Sequence, residues 1–154
     1  MAERGARVPL EAAVQQGRGF SDAARAYEGL VTAFQAVNQA VKEALAPFGM
    51  TPAQFGALRR IDEGEEISLS ELARRLGCTN ANVTRLVEHM AGAGFLERTA
   101  HPWDQRVVLV RMTSRGASVR RVALSAYSET VGRVMGALNG RELSTLGKLG
   151  SRLA

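Results

Sequence analysis

Three helix start signals lie close together in the middle of this chain and restrict it to short helices there. Residues 51–54 and 68–71 have the sequences Thr-Pro-Ala-Gln and Ser-Leu-Ser-Glu, which are capping-box patterns. Thr79 can cap a further helix, and it follows the glycine-containing turn that ends the previous one. Two short helices that are joined through such a turn, each with its own cap, are typical of a helix-turn-helix unit.

Two segments rich in Val and Leu follow this unit. Residues 95–99 and 106–112 are predicted to form the strands of a hairpin, with residues 100–105 as the connection between them. A hairpin directly after a helix-turn-helix is a wing. The predicted fold class is therefore mainly α with a small β-hairpin wing, a winged helix-turn-helix core.

Long amphipathic patterns flank this core. Apolar residues recur at spacings of three and four from Ser21, a candidate N-cap, to Gly49, and again after residue 115. A helix of about 25 residues is roughly 37 Å long, which exceeds what a domain of this size needs, so we expect these helices to pair with a second copy. The predicted parts are a mobile N-terminal arm (1–20), an N-terminal dimerisation helix (21–49), the winged helix-turn-helix core (50–114) and C-terminal dimerisation helices (115–154).

Composition excludes several classes of protein. The 154 residues are 45% hydrophobic and contain no apolar run near the ~18 residues of a bilayer span, so a cytoplasmic protein without a membrane partner is expected. Cys78 is the single cysteine, which excludes an internal disulfide and a thiolate metal site. His89 and His101 lack metal-ligand spacing, and no catalytic constellation is recognisable. We therefore expect no metal, no cofactor and no enzymatic activity.

Positive charge is concentrated in the second half of the chain. The net charge is −2 over residues 1–67, +3 over residues 68–115 and +4 over residues 116–154. Such a distribution is typical of a solvated basic face, and it also attracts a polyanionic partner such as double-stranded DNA.

The helix after Thr79 carries the most specific functional pattern. If Val83, Leu86 and Met90 face the core, Ala81 and Arg85 point away from it. A first turn without acidic residues, with amide and guanidinium groups that can bond adenine and guanine, suits a DNA major groove. The alternative is an ordinary polar surface helix. The candidate DNA-contacting residues here are Thr79, Asn80, Ala81, Asn82, Thr84 and Arg85.

The connection of the hairpin carries a second pattern. Arg106 at a wing tip can enter the minor groove, and Asp104 can hold its guanidinium by a bidentate pair. The alternative is a surface ion pair that only stabilises the turn. Trp103 at the same tip can stack on the sugar–phosphate backbone or pack on the hairpin.

Together these segments resemble the MarR family of winged-helix transcriptional regulators. The resemblance extends from Ser21 to the C-terminus. It rests on residues 69–79, on Asn-Val-Thr-Arg-Leu-Val at 82–87, on Gly-Phe-Leu-Glu-Arg at 94–98, on Asp-Gln-Arg at 104–106 and on Met112, Thr113 and Gly116. It implies a homodimeric repressor with a recognition helix in each major groove and a wing on the minor groove, released by a small phenolic or aromatic-acid effector or by cysteine oxidation.

An effector pocket is expected where the first, second and fifth helices meet. Arg59 could pair an aromatic carboxylate there, although core packing of the aromatic residues and a surface position of Arg59 is the simpler interpretation. The candidate ligand-binding residues are Tyr27, Phe34, Asn38, Phe48, Phe55 and Arg59.

Two other functions remain open at this point. The chain could be a winged-helix protein-interaction module without DNA binding, which the presence of Arg85 and Arg106 argues against. It could also be a redox-sensing regulator that uses Cys78. Because Cys78 lies in the helix-turn-helix turn, where the resemblance implies a small apolar residue, we expect it to be buried and structural.

Overall fold

The computed structural model describes residues 10–153, with side chains described from residue 21 onward apart from that of residue 105. Among these residues the fold is mainly helical with a small antiparallel sheet, as predicted. Its elements are α1 (Leu10–Leu45), α2 (Pro52–Leu58), β1 (Glu66–Ser68), α3 (Leu69–Leu76), α4 (Asn80–Gly92), β2 (Leu96–His101), β3 (Asp104–Met112), α5 (Ser114–Met135) and α6 (Gly140–Leu153), with a 3-10 helix at Ala46–Phe48.

The first helix begins earlier than the sequence pattern indicates. It starts at Leu10 instead of Ser21, so the prediction of Ser21 as the N-cap is wrong. The physical reason is that the Leu, Ala, Glu and Gln residues of 10–16 are good helix formers even without an apolar period. Of the predicted arm, residues 1–9 lie outside the described residues.

The chain divides into two units, Met1–Val37 and Asn38–Ala154. Within the described part of the first unit, large apolar side chains such as Tyr27, Leu30 and Phe34 are exposed along α1. The second unit contains the winged core, whose interior is formed by Phe55, Leu58, Ile61, Leu72, Val83, Val87, Met90 and Val110. Helix α6 belongs to this unit and buries none of its side chains.

The wing is part of a three-stranded sheet. Strand β3 lies in the centre, with β2 on one side and β1 on the other, and Ile67 of β1 pairs with Val110. Strand β1 could not be predicted from sequence, because three residues with one buried side chain give too little alternation to be recognised. The turn between β2 and β3 is also tighter than predicted, since His101 already pairs with Asp104.

Most predicted caps are present. Thr51 and Thr79 each accept a hydrogen bond from the backbone N–H three residues later, as predicted. Two further caps are present: Thr113 accepts in the same way at the start of α5, and Asn139 forms a reciprocal cap with Glu142 before α6. Ser68 is the exception to the predicted capping box. It accepts from the Glu71 N–H, but the carboxylate of Glu71 binds two arginines of α3.

Candidate nucleic-acid interface

Helix α4 is oriented by its buried side chains. Val83, Val87 and Met90 are fully buried, and Leu86 is half-buried beside them. Because helix residues three and four apart share a face, this stripe turns the opposite face of α4 to solvent. The predicted orientation of the helix is confirmed.

The polar residues of the first turns form the exposed face. Thr79, Asn80, Ala81, Asn82 and Arg85 are exposed and Thr84 is half-buried. The hydroxyl of Thr84 donates to the Asn80 carbonyl at 2.8 Å, and the hydroxyl of Thr79 accepts from the Asn82 N–H. These bonds use hydroxyl and backbone groups, so among the described residues the side-chain amides of both asparagines stay free for a partner outside the chain.

Arg85 is the basic residue of this exposed turn, and within the described part of the chain its guanidinium has no hydrogen-bond or ion-pair partner. The acidic residue one turn later, Glu88, lies 3.7 Å from Arg98 of β2. The carboxylate of Glu88 is thus paired with Arg98 of the wing and does not form an ion pair with Arg85. An uncompensated cation beside free amides is what an anionic, hydrogen-bonding surface recognises.

The wing tip is built by a break in strand register. Ala100 pairs with Val108 but His101 pairs with Asp104, so Arg106 lies in the bulge between the two registers. A bulge redirects side chains away from the regular ladder, and Arg106 is exposed. The carboxylate of Asp104 accepts a hydrogen bond from the Arg106 backbone N–H at 3.0 Å.

This hydrogen bond corrects one prediction. Asp104 was expected to hold the guanidinium of Arg106, but among the described residues that guanidinium has no partner, and Asp104 fixes the backbone instead. An aspartate two residues before an N–H readily forms such an Asx-type turn, which the spacing alone does not distinguish from an ion pair. The structure therefore leaves both interface arginines, Arg85 and Arg106, uncompensated by the described side chains.

An ion-pair network positions helix α3 behind this face. Arg75 binds both carboxylate oxygens of Glu65 at 2.6 and 2.9 Å and reaches Glu71 at 2.9 Å. Arg75 also donates to the Arg60 carbonyl at 2.7 Å, while Arg60 donates to the Arg75 carbonyl at 2.6 Å. These reciprocal bonds join the end of α2 to the end of α3, although fifteen residues separate them in sequence.

The network makes a pH-dependent contribution to stability. Hydrogen bonds from Arg74 and Arg75 lower the pKa of Glu71 from 4.5 to about 2, and a hydrogen bond from Arg75 lowers the pKa of Glu65. When folding lowers the pKa of a carboxyl group, the group stabilises the folded state fully at a pH above its unfolded-state pKa. This contribution to stability is lost as the pH falls towards the folded-state pKa. The stabilisation by Glu71 is therefore complete above about pH 4.5 and disappears towards pH 2.

Glu71→Gln is expected to lower the melting temperature at pH 7, with a difference from the unsubstituted protein that narrows as the pH falls from 5 to 3. Glu129→Gln is the matched control, because Glu129 is exposed and has no ion-pair partner among the residues described. Thermal melts of the three proteins across this pH range are the measurement. A difference for Glu71→Gln that stays constant with pH would contradict the linkage.

The predicted ligand-binding residues are distributed over both units. Tyr27 and Phe34, 66% and 64% exposed, lie in the first, whereas Asn38, Phe48, Phe55 and Arg59 lie in the second. In the second unit the Phe55 and Tyr127 rings are 5.2 Å apart, and the Arg59 guanidinium lies 4.8 Å from the centre of the Tyr127 ring. Tyr127 was not predicted; its position four residues after buried Ala123 on α5 was the available signal. The effector pocket stays a prediction.

A cleft of about 480 Å³ lies elsewhere in the second unit. It is lined by Glu63, Gly64, Glu97, Arg111, Met112, Thr113, Ser114 and Ala117. None of these was predicted to bind a ligand. The cleft is polar at one side, where Arg111 pairs with Glu97 at 2.6 Å.

Cys78 is exposed, so the prediction that it is buried is wrong. Gly77 ends α3 in the left-handed conformation with φ of 63°, and the Cys78 N–H then bonds the Ala73 carbonyl at 3.1 Å. This six-residue closure is a Schellman motif, which uses the backbone of Cys78 and leaves its side chain on the outside of the turn.

Comparison with known proteins relates this geometry to a family. The MarR family model matches residues 50–108, which include the helix-turn-helix and most of the wing. MarR of Escherichia coli, the multiple antibiotic resistance protein, is 33% identical over 85 residues, which are 55% of this chain and 59% of that protein. An HTH-type transcriptional repressor of Mycobacterium bovis is 30% identical over 115 residues, covering 72% of this chain and 83% of the relative.

Solved structures share the fold. A cysteine-to-serine variant of E. coli MarR complexed with operator DNA superposes with a TM-score of 0.75 at 24% identity, covering 96% of this chain and 99% of that one. BpsR of Bordetella bronchiseptica, whose DNA binding is regulated by 6-hydroxynicotinic acid, superposes with a TM-score of 0.76 at 21% identity. The superposition covers 84% of this chain and 98% of BpsR. The Mycobacterium bovis relative is described as a transcriptional repressor, and the E. coli structure contains operator DNA. No helix among residues 10–153 combines the length and apolarity of a membrane span. The chain belongs to the MarR family of transcriptional regulators.

Proposed function

We propose that the protein is a homodimeric repressor that binds a pseudo-palindromic DNA operator with α4 in the major groove and the wing on the minor groove. The observation that carries this proposal is the pair of uncompensated arginines, Arg85 and Arg106, on two exposed elements of the winged core. In a chain of net charge +5, leaving these cations unpaired while Glu71, Glu88 and Asp104 are occupied favours an anionic partner.

The division of contacts follows from the chemistry of the two elements. The first turns of α4 present amide, methyl and guanidinium groups without a carboxylate, which suits base edges in the major groove. The wing presents a charged side chain on a narrow hairpin, which suits the shape and potential of the minor groove. We therefore assign base reading to Asn80, Ala81, Asn82, Thr84 and Arg85, with Thr79 as the helix cap, and minor-groove contact to Asp104 and Arg106.

The homodimer is supported by apolar surface that the chain leaves uncovered. Leu143, Leu146, Leu149 and Leu153 of α6 are all exposed, with Leu153 at 78%. Leucines at this spacing form one stripe of a helix, and an exposed apolar stripe of this kind is typical of a surface that associates with another. A second copy of the chain supplies that cover and places two recognition helices on one duplex, with half-site centres about 10 bp apart.

The proposal is tested by selecting genomic fragments with the full-length protein and measuring complex mass by sedimentation. We expect a shared pseudo-palindrome among the selected fragments and two chains for each bound duplex. A protein that selects no sequence and does not shift random duplex at low salt would instead be an interaction module. A monomeric complex would refute the dimer while leaving DNA binding intact.

The effector part of the proposal concerns the Phe55, Tyr127 and Arg59 cluster. An aromatic acid could stack on the Tyr127 ring, which is half-buried whereas Phe55 is fully buried, and pair with the exposed guanidinium of Arg59. In the operator assay, 6-hydroxynicotinic acid serves as the probe. We expect it to release the unsubstituted protein and not Arg59→Ala; release of both equally would exclude this site.

A cysteine switch is the competing mode of regulation. The exposure of Cys78 makes it accessible to an oxidant, but a disulfide would require the thiol of another chain or of a small molecule, because the sequence contains one cysteine. Comparing operator binding of the unsubstituted protein and Cys78→Ser under mild peroxide separates the two modes. Loss of binding by the unsubstituted protein alone would favour the switch over the aromatic effector.

A further inference from the structure

The side chain of Trp103 stands alone at the tip of the wing. It is 90% exposed, the highest exposure of any large apolar side chain in the described part of the chain. An indole that packed on its own hairpin would lose most of that exposure. Of the two alternatives that the sequence left open, packing on the hairpin is therefore excluded in the free protein.

The turn that carries Trp103 is restrained on both sides. Pro102 and Trp103 form a two-residue connection between the paired residues His101 and Asp104. The ring of Pro102 limits its own φ, and the Trp103 N–H donates to Nδ1 of His101 at 3.3 Å. The Asp104 carboxylate fixes the following residues through the Arg106 N–H. A restrained backbone presents the indole at low entropic cost, because only its two side-chain torsions remain to be ordered.

The surroundings of Trp103 match a polyanion. Arg106 is exposed three residues away with no partner among the described residues, and the neighbouring carboxylate of Asp104 already accepts a backbone N–H. A flat apolar ring on the same wing tip as a free cation fits the edge of a DNA groove, where deoxyribose offers apolar surface and phosphate offers acceptors. An apolar protein surface would not need the arginine.

We infer that Trp103 is a sequence-independent DNA contact of the wing, with its ring against the deoxyribose edge of the minor groove and Nε1–H donating to a phosphate oxygen. This inference rests on the proposed function, because the wing reaches the minor groove only if α4 lies in the major groove. It adds a neutral contact to the charged one made by Arg106.

The experiment uses the fact that Trp103 is the only tryptophan of the chain. Its emission is followed while full-length protein is titrated with operator duplex and with random duplex, and affinities are measured in parallel at several salt concentrations. We expect emission to change with both duplexes at saturation. Trp103→Ala should bind both about tenfold more weakly, and Trp103→Phe about threefold, since phenylalanine keeps the ring but lacks the N–H donor.

Two controls separate this contact from other effects. Trp103→Ala should melt at the same temperature as the unsubstituted protein, because an exposed side chain contributes little to folding. Its affinity should depend on salt with an unchanged slope, since no charge is removed, whereas Arg106→Ala should flatten the slope by about one.

The outcomes distinguish this inference from the proposed function. If the protein binds DNA, but the emission of the unsubstituted protein stays unchanged and Trp103→Ala binds as tightly as it does, the inference is wrong and the proposed function stands. If emission changes with protein concentration alone, Trp103 is a self-association contact and the inference is wrong. If no duplex binds at low salt, both fail.

Discussion

Gly116→Ala is expected to lower the free energy of unfolding by about 3 kcal/mol, the largest effect of a single methyl group that this structure predicts. Gly116 lies in the first turn of α5, where a Cβ atom would stand 2.2 Å from the Phe95 carbonyl oxygen and 3.0 Å from the Met112 side chain. The first obstacle is backbone and cannot rotate away. The start of α5 and Phe95, the residue before β2, must therefore move apart.

The hydrogen bonds at this point explain why separation is costly. Thr113 caps α5 by accepting the Gly116 N–H at 3.0 Å, and the same hydroxyl donates to the Gly94 carbonyl at 2.7 Å. The Thr113 N–H bonds the Phe95 carbonyl at 3.1 Å. These hydrogen bonds join α5 to the segment between α4 and β2, and an added methyl group would lengthen them.

Gly132→Ala is the matched control for this prediction. Gly132 lies on the same helix, and a Cβ added there meets no atom within 4 Å. Alanine should stabilise the helix by up to about 1 kcal/mol, because it restricts the unfolded chain and favours the helix. Urea unfolding of both variants is the measurement. Equal effects of the two substitutions would refute the role of the close approach.

The second large effect concerns Arg85 and Arg106, whose replacement by alanine we expect to weaken DNA binding in two different ways. Arg85→Ala should cost about 1–3 kcal/mol of binding free energy per half-site on the operator and much less on random duplex, because base reading contributes little to non-specific binding. Arg106→Ala should weaken both complexes and lower the slope of the salt dependence by about one for each phosphate that is no longer neutralised. Affinities for both duplexes at several salt concentrations are the measurement.

Two further variants complete this comparison. Asp104→Ala should resemble Arg106→Ala in part, because it removes the acceptor that holds the Arg106 backbone in the bulge. Arg133→Ala, an exposed cation of α5 outside the winged core, should change neither affinity by more than about twofold. If Arg85→Ala weakened binding to both duplexes equally, Arg85 would contact phosphate only, and base reading would rest on Asn80, Ala81, Asn82 and Thr84.

Local and periodic features of this protein could be predicted from sequence. The caps at Thr51 and Thr79 are decided by a side chain and a backbone N–H three residues away, so four residues contain the whole interaction. The orientation of α4 follows from the spacing of Val83 and Val87 with their neighbours, because helix geometry converts spacing into a face.

Other features depend on residues that only the fold brings together. Strand β1 exists because Ile67 reaches a neighbouring strand more than forty residues later, and Arg75 binds Arg60 and Glu65 across the ends of two helices. Whether Asp104 holds a guanidinium or a backbone N–H is decided by the register shift of the hairpin. Sequence spacing is the same in either case.

The exposure of single residues also depends on the tertiary structure. Cys78 is exposed because the left-handed cap at Gly77 turns the chain, and Trp103 is exposed at the two-residue turn that the pairing of β2 with β3 creates. The sequence by itself therefore determined the order of the main helices, the caps that begin α2, α3 and α4, and the buried face of α4, because these depend on local hydrogen bonds and periodicity. Only the tertiary structure decided which distant groups meet and which side chains are left to solvent, since these depend on the packing of elements that are far apart in sequence.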